Sequence, residues 1–299
     1  MHRRLFMRHS GLIIGSGLVF QQQVLANLFQ QPAYKIQMLR ENLGIFTERG
    51  GTIGFLLTKE GIVVVDSQFP EQSQHLIDEL KKKSDKPFRL LINTHHHGDH
   101  SSGNISFKGV VQHVLAHTNS KANQERVAKE QKTEDKQLYP DQVFGNEWSE
   151  KIGKEKISLH YFGAGHTNGD SLIHFEHSDV VHMGDLMFNR RYPFIDRTAG
   201  ANIKNWISIL EKTEKKFNKK TIFIFGHAHE TASVTGGKED LKVMKDFFEK
   251  LLAFTESEVK AGKSKEEFLK NTAIPGVTEW KGDGIQRPLG SAYDEVTAK

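Results

Sequence analysis

Cysteine is absent from the 299 residues. Disulfide bonds and thiolate metal ligands are therefore both excluded, and any metal site must be built from histidine nitrogen and carboxylate oxygen. The redox state of the compartment stays open, because a cysteine-free chain tolerates oxidising and reducing surroundings alike. No apolar run approaches the ~20 residues of a membrane-spanning helix. A G-x-S-x-G elbow, an internal repeat and a strong linker after Ala33 are also missing, which removes the sequence cue for a serine nucleophile. Surplus charge is scarce as well. The net charge is +4, but three of the 41 basic residues (Arg3, Arg4 and Arg8) lie in residues 1–26, which hold no acid. The remaining 38 against 37 acidic residues leave a nearly neutral body, with no basic excess of the kind nucleic acid or an anionic membrane would require. Lys81-Lys82-Lys83 and Lys215-Lys216 read as solvated helix ends.

What is present starts with a leader. Residues 1–26 carry the paired Arg3-Arg4, then Leu5-Phe6-Met7-Arg8, a short glycine-containing apolar stretch over 11–20, and Val24-Leu25-Ala26. The pattern is similar to a twin-arginine export signal, with His2 where Ser or Thr usually precedes the arginines. It predicts cleavage near Ala26, a linker over 27–33 and a periplasmic or secreted protein without a stable membrane anchor. The competing reading is a frayed amphipathic start of a cytoplasmic protein. A single domain with C-terminal helices is expected over 34–299.

From Tyr34 short β-rich runs predict an antiparallel meander over 34–39, 43–47, 52–58 and 62–66, with Val63-Val64-Val65 buried on both faces. Helices are predicted over 70–83 (Leu76, Ile77 and Leu80 inward), 117–129, 203–217 (Trp206, Ile207 and Leu210 inward) and 238–255. The last carries the core stripe Leu241, Met244, Phe247, Leu251 and Leu252. Further strands fall at 88–93, 110–115, 156–161, 171–175, 180–182 and 221–225. The polar stretch 131–150 has no clear period and reads as either a lid or an ordinary surface loop. This alternation implies an α/β (α+β) chain folded as an αββα sandwich, two mixed sheets with helices outside.

Thr94-His95-His96-His97-Gly98-Asp99-His100 follows the strand over 88–93. Crowded imidazoles repel when charged and a buried carboxylate is costly, whereas a divalent metal stabilises both together. In an extended segment His95, His97 and Asp99 would share one side and His100 the other, which suits two ions better than one. His96 reads as a spare. Three more strand-end loops offer ligands: His166 in Gly163-Ala164-Gly165-His166-Thr167-Asn168-Gly169-Asp170, Asp185 in Met183-Gly184-Asp185, and His227 in Phe225-Gly226-His227. Each is weak alone, and their convergence carries the signal. His117 reads as a cap or a ligand-orienting group, and Asp170 as a brace for the His166 loop.

The order H-x-H-x-D-H, G-x-G-H-T-x-G-D, G-D, G-H resembles the metallo-β-lactamase superfamily from about Leu43 to Leu252. The resemblance implies that His95, His97 and His166 hold one ion, that Asp99, His100 and His227 hold a second, and that Asp185 bridges them. Two Zn2+ per chain are expected, with Fe or Mn as alternatives. Asp99 is the expected catalytic carboxylate, orienting the attacking water or accepting its proton. The complete ligand set with Asp185 is closest to the glyoxalase II and lactonase branches. Tyr192, seven residues after Asp185, is the candidate for the substrate-facing tyrosine of lactonases. His229 is either a substrate contact or an exposed side chain, and Asn104 either faces substrate or braces the turn after the motif. The implied function is hydrolysis of a small-molecule ester, thioester, lactone or lactam by metal-activated water. An iron-dependent thiol or sulfur dioxygenase of the same fold is one alternative, and a non-catalytic metal-stabilised binding protein another.

Overall fold

A run of valines that leaves no polar side is stable only when both faces of its strand are covered. In the computed structural model, which describes residues 34–282 and 284–298, Val63, Val64 and Val65 are all fully buried. The predicted leader and linker lie outside the described residues. Among those described, no helix is long and apolar enough to cross a membrane.

The first sheet has seven strands in sequential order: β1 (Lys35–Met38), β2 (Leu43–Thr47), β3 (Ile53–Leu57), β4 (Ile62–Val65), β5 (Phe88–Asn93), β6 (Val111–His117) and β7 (Gln142–Phe144). Pairing is antiparallel from β2 to β4 and parallel from β4 to β7. The parallel crossovers are made by helix α1 (Pro70–Lys83), by a short turn α2 (Gly98–Ser101) with the 3-10 segment that follows it, and by α3 (Thr118–Gln131). The second sheet uses β8 (Glu147–Ile152), β9 (Glu155–His160), β10 (Leu172–Phe175), β11 (Val180–His182), β13 (Ile222–Ile224) and β15 (Thr235–Gly236), in the order β15-β13-β11-β10-β9-β8. It is antiparallel except for the parallel pair β11 and β13. A two-stranded ribbon pairs β12 (Phe188–Asn189) with β14 (His227–Ala228).

The sheets face one another across Leu43, Leu56, Val63, Val65, Leu90 and Ile92 on one side and Ile157, Leu159, Ile173, Phe175 and Ile224 on the other. Outside the second sheet lie α4 (Ile203–Lys216) and α5 (Lys238–Lys260), sealed by Trp206, Phe223, Phe247 and Phe248, followed by α6 (Lys265–Phe268) and α7 (Gln286–Thr297). The predicted αββα sandwich of two mixed sheets is the fold observed.

Three local expectations need correction. Residues 131–150 are neither lid nor plain loop, because they hold β7 and the start of β8 and carry the chain from the edge of one sheet to the edge of the other. Edge strands bury one side only, so their polar composition hid them. On α4 the buried face uses Ile209 where Ile207 was expected, with Ile207 half-buried. The ligand loop is not extended throughout, since Gly98–Ser101 turns helically with His97 as its N-cap residue. The expected simple alternation of side chains therefore ends at Gly98.

Candidate metal centre

The ligand candidates stand where strands end. β5 runs into Thr94 and the histidine loop, β4 into Asp66, β11 into Asp185 and β13 into His227, and the connection from β9 to β10 supplies His166. Parallel pairing of β4 with β5 and of β11 with β13 puts those four carboxyl ends at one rim, the usual place for a site in such sheets.

Two donor groups meet there. His95, His97, His166 and Asp185 form the first, and Asp99, His100 and His227 the second. His95 Nε2 lies 3.0 Å from His97 Nδ1, which is 2.8 Å from His166 Nε2. In the second group His227 Nε2 is 3.1 Å from Asp99 Oδ2 and 3.4 Å from His100 Nε2. Asp185 stands between them. Its Oδ2 is 3.4 Å from His166 Nε2 and 3.8 Å from His95 Nε2, while Oδ1 is 3.0 Å from His100 Nε2 and 3.5 Å from His227 Nε2.

The partners of the remaining ring nitrogens fix which nitrogen offers a lone pair. His100 Nδ1 donates to Asp66 Oδ2 at 2.7 Å, His97 Nε2 to Asp196 Oδ2 at 2.9 Å, and His166 Nδ1 to the Phe194 carbonyl at 2.7 Å. Thr94 commits its hydroxyl proton to Asp66 Oδ2 at 2.8 Å, so its oxygen accepts from His95 Nδ1 at 3.0 Å. With His100 neutral, as a bound cation would require, all four rings turn bare nitrogens inward. Three such lone pairs, with His97 Nδ1 3.0 Å from His95 Nε2 and 2.8 Å from His166 Nε2, are repulsive beside the buried Asp185 unless a cation sits among them. The donor set fits divalent metal of the zinc class, bound by nitrogen and oxygen.

The electrostatics of the metal-free site agree for His95 and His166 and favour a protonated His100. Burial pushes His95 well below the usual imidazole range, with His100 adding to the shift, and burial takes His166 down to about 3, so both rings are neutral and able to coordinate. Burial alone would lower His100 and raise Asp185, but their mutual attraction and their neighbours reverse both shifts. Asp185, Asp66 and Asp99 hold His100 well above its usual value, and His227 and His100 hold Asp185 well below. Burial likewise opposes ionisation of Asp99, yet His100 and His227 bring it to about 2.

The site faces a cavity of about 360 Å3 lined by Asp99, Asp185, His227, Phe188, Tyr192, Phe194, Arg191 and Arg287 among others. Tyr192 is thus on the cavity wall. His229 is not; its Nδ1 bonds the Thr231 hydroxyl at 2.9 Å. The expectation of Asn104 at substrate is corrected: it is buried, bonding Asn93, Ser67 and the Leu138 carbonyl, and it ties the loop's base together. His117 caps α3 by accepting from the Asn119 N–H. Asp170 braces the His166 loop, taking the Thr167 N–H at 2.8 Å and hydroxyl at 2.6 Å. His96 is buried 3.7 Å from Asp196, with its Nδ1 unbonded.

Two orienting carboxylates escaped the sequence reading. Asp66 follows a wholly apolar strand just as Asp185 does, a signal that was available. Its left-handed φ of 65° turns the carboxylate back onto Thr94, whose N–H reaches Oδ1 at 2.7 Å. Asp196 comes from a loop remote in sequence, and only its capping of Thr198 and Ala199 marks it locally.

The profile of the Metallo-beta-lactamase superfamily matches residues 46–227. The chain is 26% identical over 212 residues, 67% of its length and 82% of the relative's, to "Metallo-beta-lactamase type 2" of Elizabethkingia meningoseptica. Among solved structures, the metallo-beta-lactamase from Pontibacter korlensis aligns with a TM-score of 0.59 at 19% identity, covering 72% of this chain and 99% of the other. A double mutant of the sec-alkyl sulfatase PisA1 aligns at 0.69 with 13% identity, covering 88% of this chain and 50% of that one. At such identities these two likenesses concern the fold alone. With the family profile spanning more than half of the chain and the donor groups gathered at the strand ends, the protein belongs to the metallo-β-lactamase superfamily and is a metal-dependent hydrolase.

Proposed function

We propose that the protein is a dinuclear zinc hydrolase that opens the carbonyl–heteroatom bond of a small lactam, lactone, ester or thioester. One observation carries the reading: two donor groups share Asp185 at the floor of one open cavity. His95, His97 and His166 would hold one ion, Asp99, His100 and His227 the other, with Asp185 between. Bound zinc would supply a Lewis acid and bring the pKa of water towards ~7.

The chain's own groups do the rest. Asp99, held ionised by His100 and His227 and partly open to the cavity, orients the attacking water by accepting its hydrogen bond. Phe188, Tyr192, Pro193 and Phe194 offer an apolar wall that shields the reacting carbonyl from bulk water. Export by the twin-arginine-like leader of residues 1–26, to the periplasm or beyond, completes the proposal, and it suits a route that carries proteins already folded around their cofactor.

Elemental analysis of protein purified without added metal, beside assays with a chromogenic cephalosporin and a thioester, tests it. Two zinc per chain with cleavage of either substrate supports the hydrolase and selects its branch. A single iron with oxygen uptake and no hydrolysis would refute it.

A further inference from the structure

His96 is the histidine of the loop that the two donor groups leave out. Its side chain is buried, yet poorly served there. Nδ1 has no hydrogen-bond partner, and Nε2 stops 3.7 Å from Asp196 Oδ2, beyond hydrogen-bonding distance. A leucine or phenylalanine would fill the same volume without stranding polar atoms, so packing alone does not explain an imidazole here. Burial, with His97 adding to it, takes His96 down to about 3, so the ring is neutral and a lone pair is available.

The surroundings complete a binding set. His96, His97 and Asp196 each offer one donor atom, and these lie within 4.8 Å of one another. His97 is shared with the first donor group, but through its other nitrogen. Nδ1 faces His95 and His166 at 3.0 and 2.8 Å, whereas Nε2 faces Asp196 Oδ2 at 2.9 Å. Asp196 is divided in the same way. Its Oδ1 is taken by the Thr198 hydroxyl and by the N–H groups of Thr198 and Ala199, which leaves Oδ2 to the two imidazoles. Ligands at ~2.0–2.1 Å from a tetrahedral zinc stand about 3.4 Å apart. The separations of 2.9 and 3.7 Å at Oδ2 straddle that value. The Ser101 hydroxyl bonds the His96 carbonyl at 3.0 Å and fixes the loop, and His97 lies on the wall of the cavity, which gives a cation its way in. Arg126 opposes positive charge at His96, but it is itself paired with Glu130 at 3.0 Å.

We propose that His96, Asp196 and the outer nitrogen of His97 form an additional site for one divalent cation of the zinc or copper class, joined to the first donor group through the His97 ring. The inference goes beyond the hydrolase reading and does not depend on turnover. The incoming ion bonds His96 Nε2, Asp196 Oδ2 and His97 Nε2, and the proton that His97 Nε2 gives to Asp196 leaves to solvent. His97 then bridges two ions as an imidazolate. An ion already on Nδ1 draws charge out of the ring and makes the Nε2 proton easier to displace, so the additional site fills after the inner one. Three protein donors leave a fourth position for water, the pattern of an open site and not of a closed structural one.

The test counts zinc. The full chain is dialysed to equilibrium against a graded series of zinc chloride, and elemental analysis compares the parent with H96F and H96L. The parent should hold one more zinc per chain than either variant, and the affinity for that last ion should fall at least about tenfold on substitution. The difference tests this site, while the count left in the variants tests the dinuclear reading, so the two can fail separately. Equal counts in the parent and a folded variant overturn the proposal. If circular dichroism shows that neither variant folds, the parent decides. It is loaded with the zinc it holds most tightly, given one equivalent of Cu2+ and read by electron paramagnetic resonance. Copper bound with coupling to two imidazole nitrogens and without release of zinc supports the site. Copper that stays free, binds without that coupling or expels zinc refutes it.

Discussion

Replacing Asp66 by Asn tests whether tautomers are what make this cluster a metal site. Asp66 is fully buried and accepts from three donors: Thr94 N–H at 2.7 Å, Thr94 hydroxyl at 2.8 Å and His100 Nδ1 at 2.7 Å. In D66N one oxygen remains for the Thr94 N–H, and an NH2 group faces the other two. His100 must then present a bare Nδ1 and move its proton to Nε2, the nitrogen that points at Asp185 and His227. Thr94 must accept from the new amide, so its hydroxyl proton turns towards His95 Nδ1 and forces that ring to protonate its inward Nε2 as well. One isosteric change thus spoils a ligand in each donor group. Loss of such an orienting partner lowers metal affinity about 10–100-fold, or about 1.4–2.7 kcal/mol per ion. Without metal, D66N removes one of the carboxylates that hold the buried His100 protonated, so folding stability should fall by about 3 kcal/mol or more. Chelator competition for zinc, read beside thermal melting of metal-free protein, separates the two quantities. D66N with parental zinc affinity at both sites would refute the tautomer argument.

Other outcomes follow from single contacts. A Cβ at Gly226 would overlap Asp185 Oδ1 and come within 2.7 Å of the Gly184 backbone, so G226A should lose at least one zinc by elemental analysis. W206F should cost about 1–3 kcal/mol in denaturant unfolding, because Trp206 is fully buried and its Nε1 donates at 3.0 Å to the Leu186 carbonyl, one residue from Asp185; an unchanged midpoint would mean the bond is dispensable. Burial raises the Asp170 carboxyl to about 7, well above the usual carboxylate range. A carboxyl whose folded pKa is raised contributes most stability below the unfolded pKa and loses it as pH climbs through the folded one. D170N, which stays neutral, should therefore gain about 2 kcal/mol relative to the parent between pH 5 and 8, and a pH-independent difference would contradict the burial argument.

Much of this was legible in the chain. Glycine and turn residues punctuate the strands, the stripe on α5 fixed its buried face, and each metal-ligand candidate follows an apolar run in a short motif of its own. What escaped was long-range. Asp196 reaches His97 from 99 residues away, and Arg287 reaches the cavity from beyond every motif.

By itself the sequence determined most of the secondary structure, the layered class of the fold and the chemistry of the donors, because periodicity, turn residues and the absence of cysteine are local properties. Only the tertiary structure decided which donors share an ion, which ring nitrogen faces inward and which charges line the cavity. Those depend on strand order, and strand order is set by packing between the two sheets, where residues far apart in sequence bury the same apolar surface.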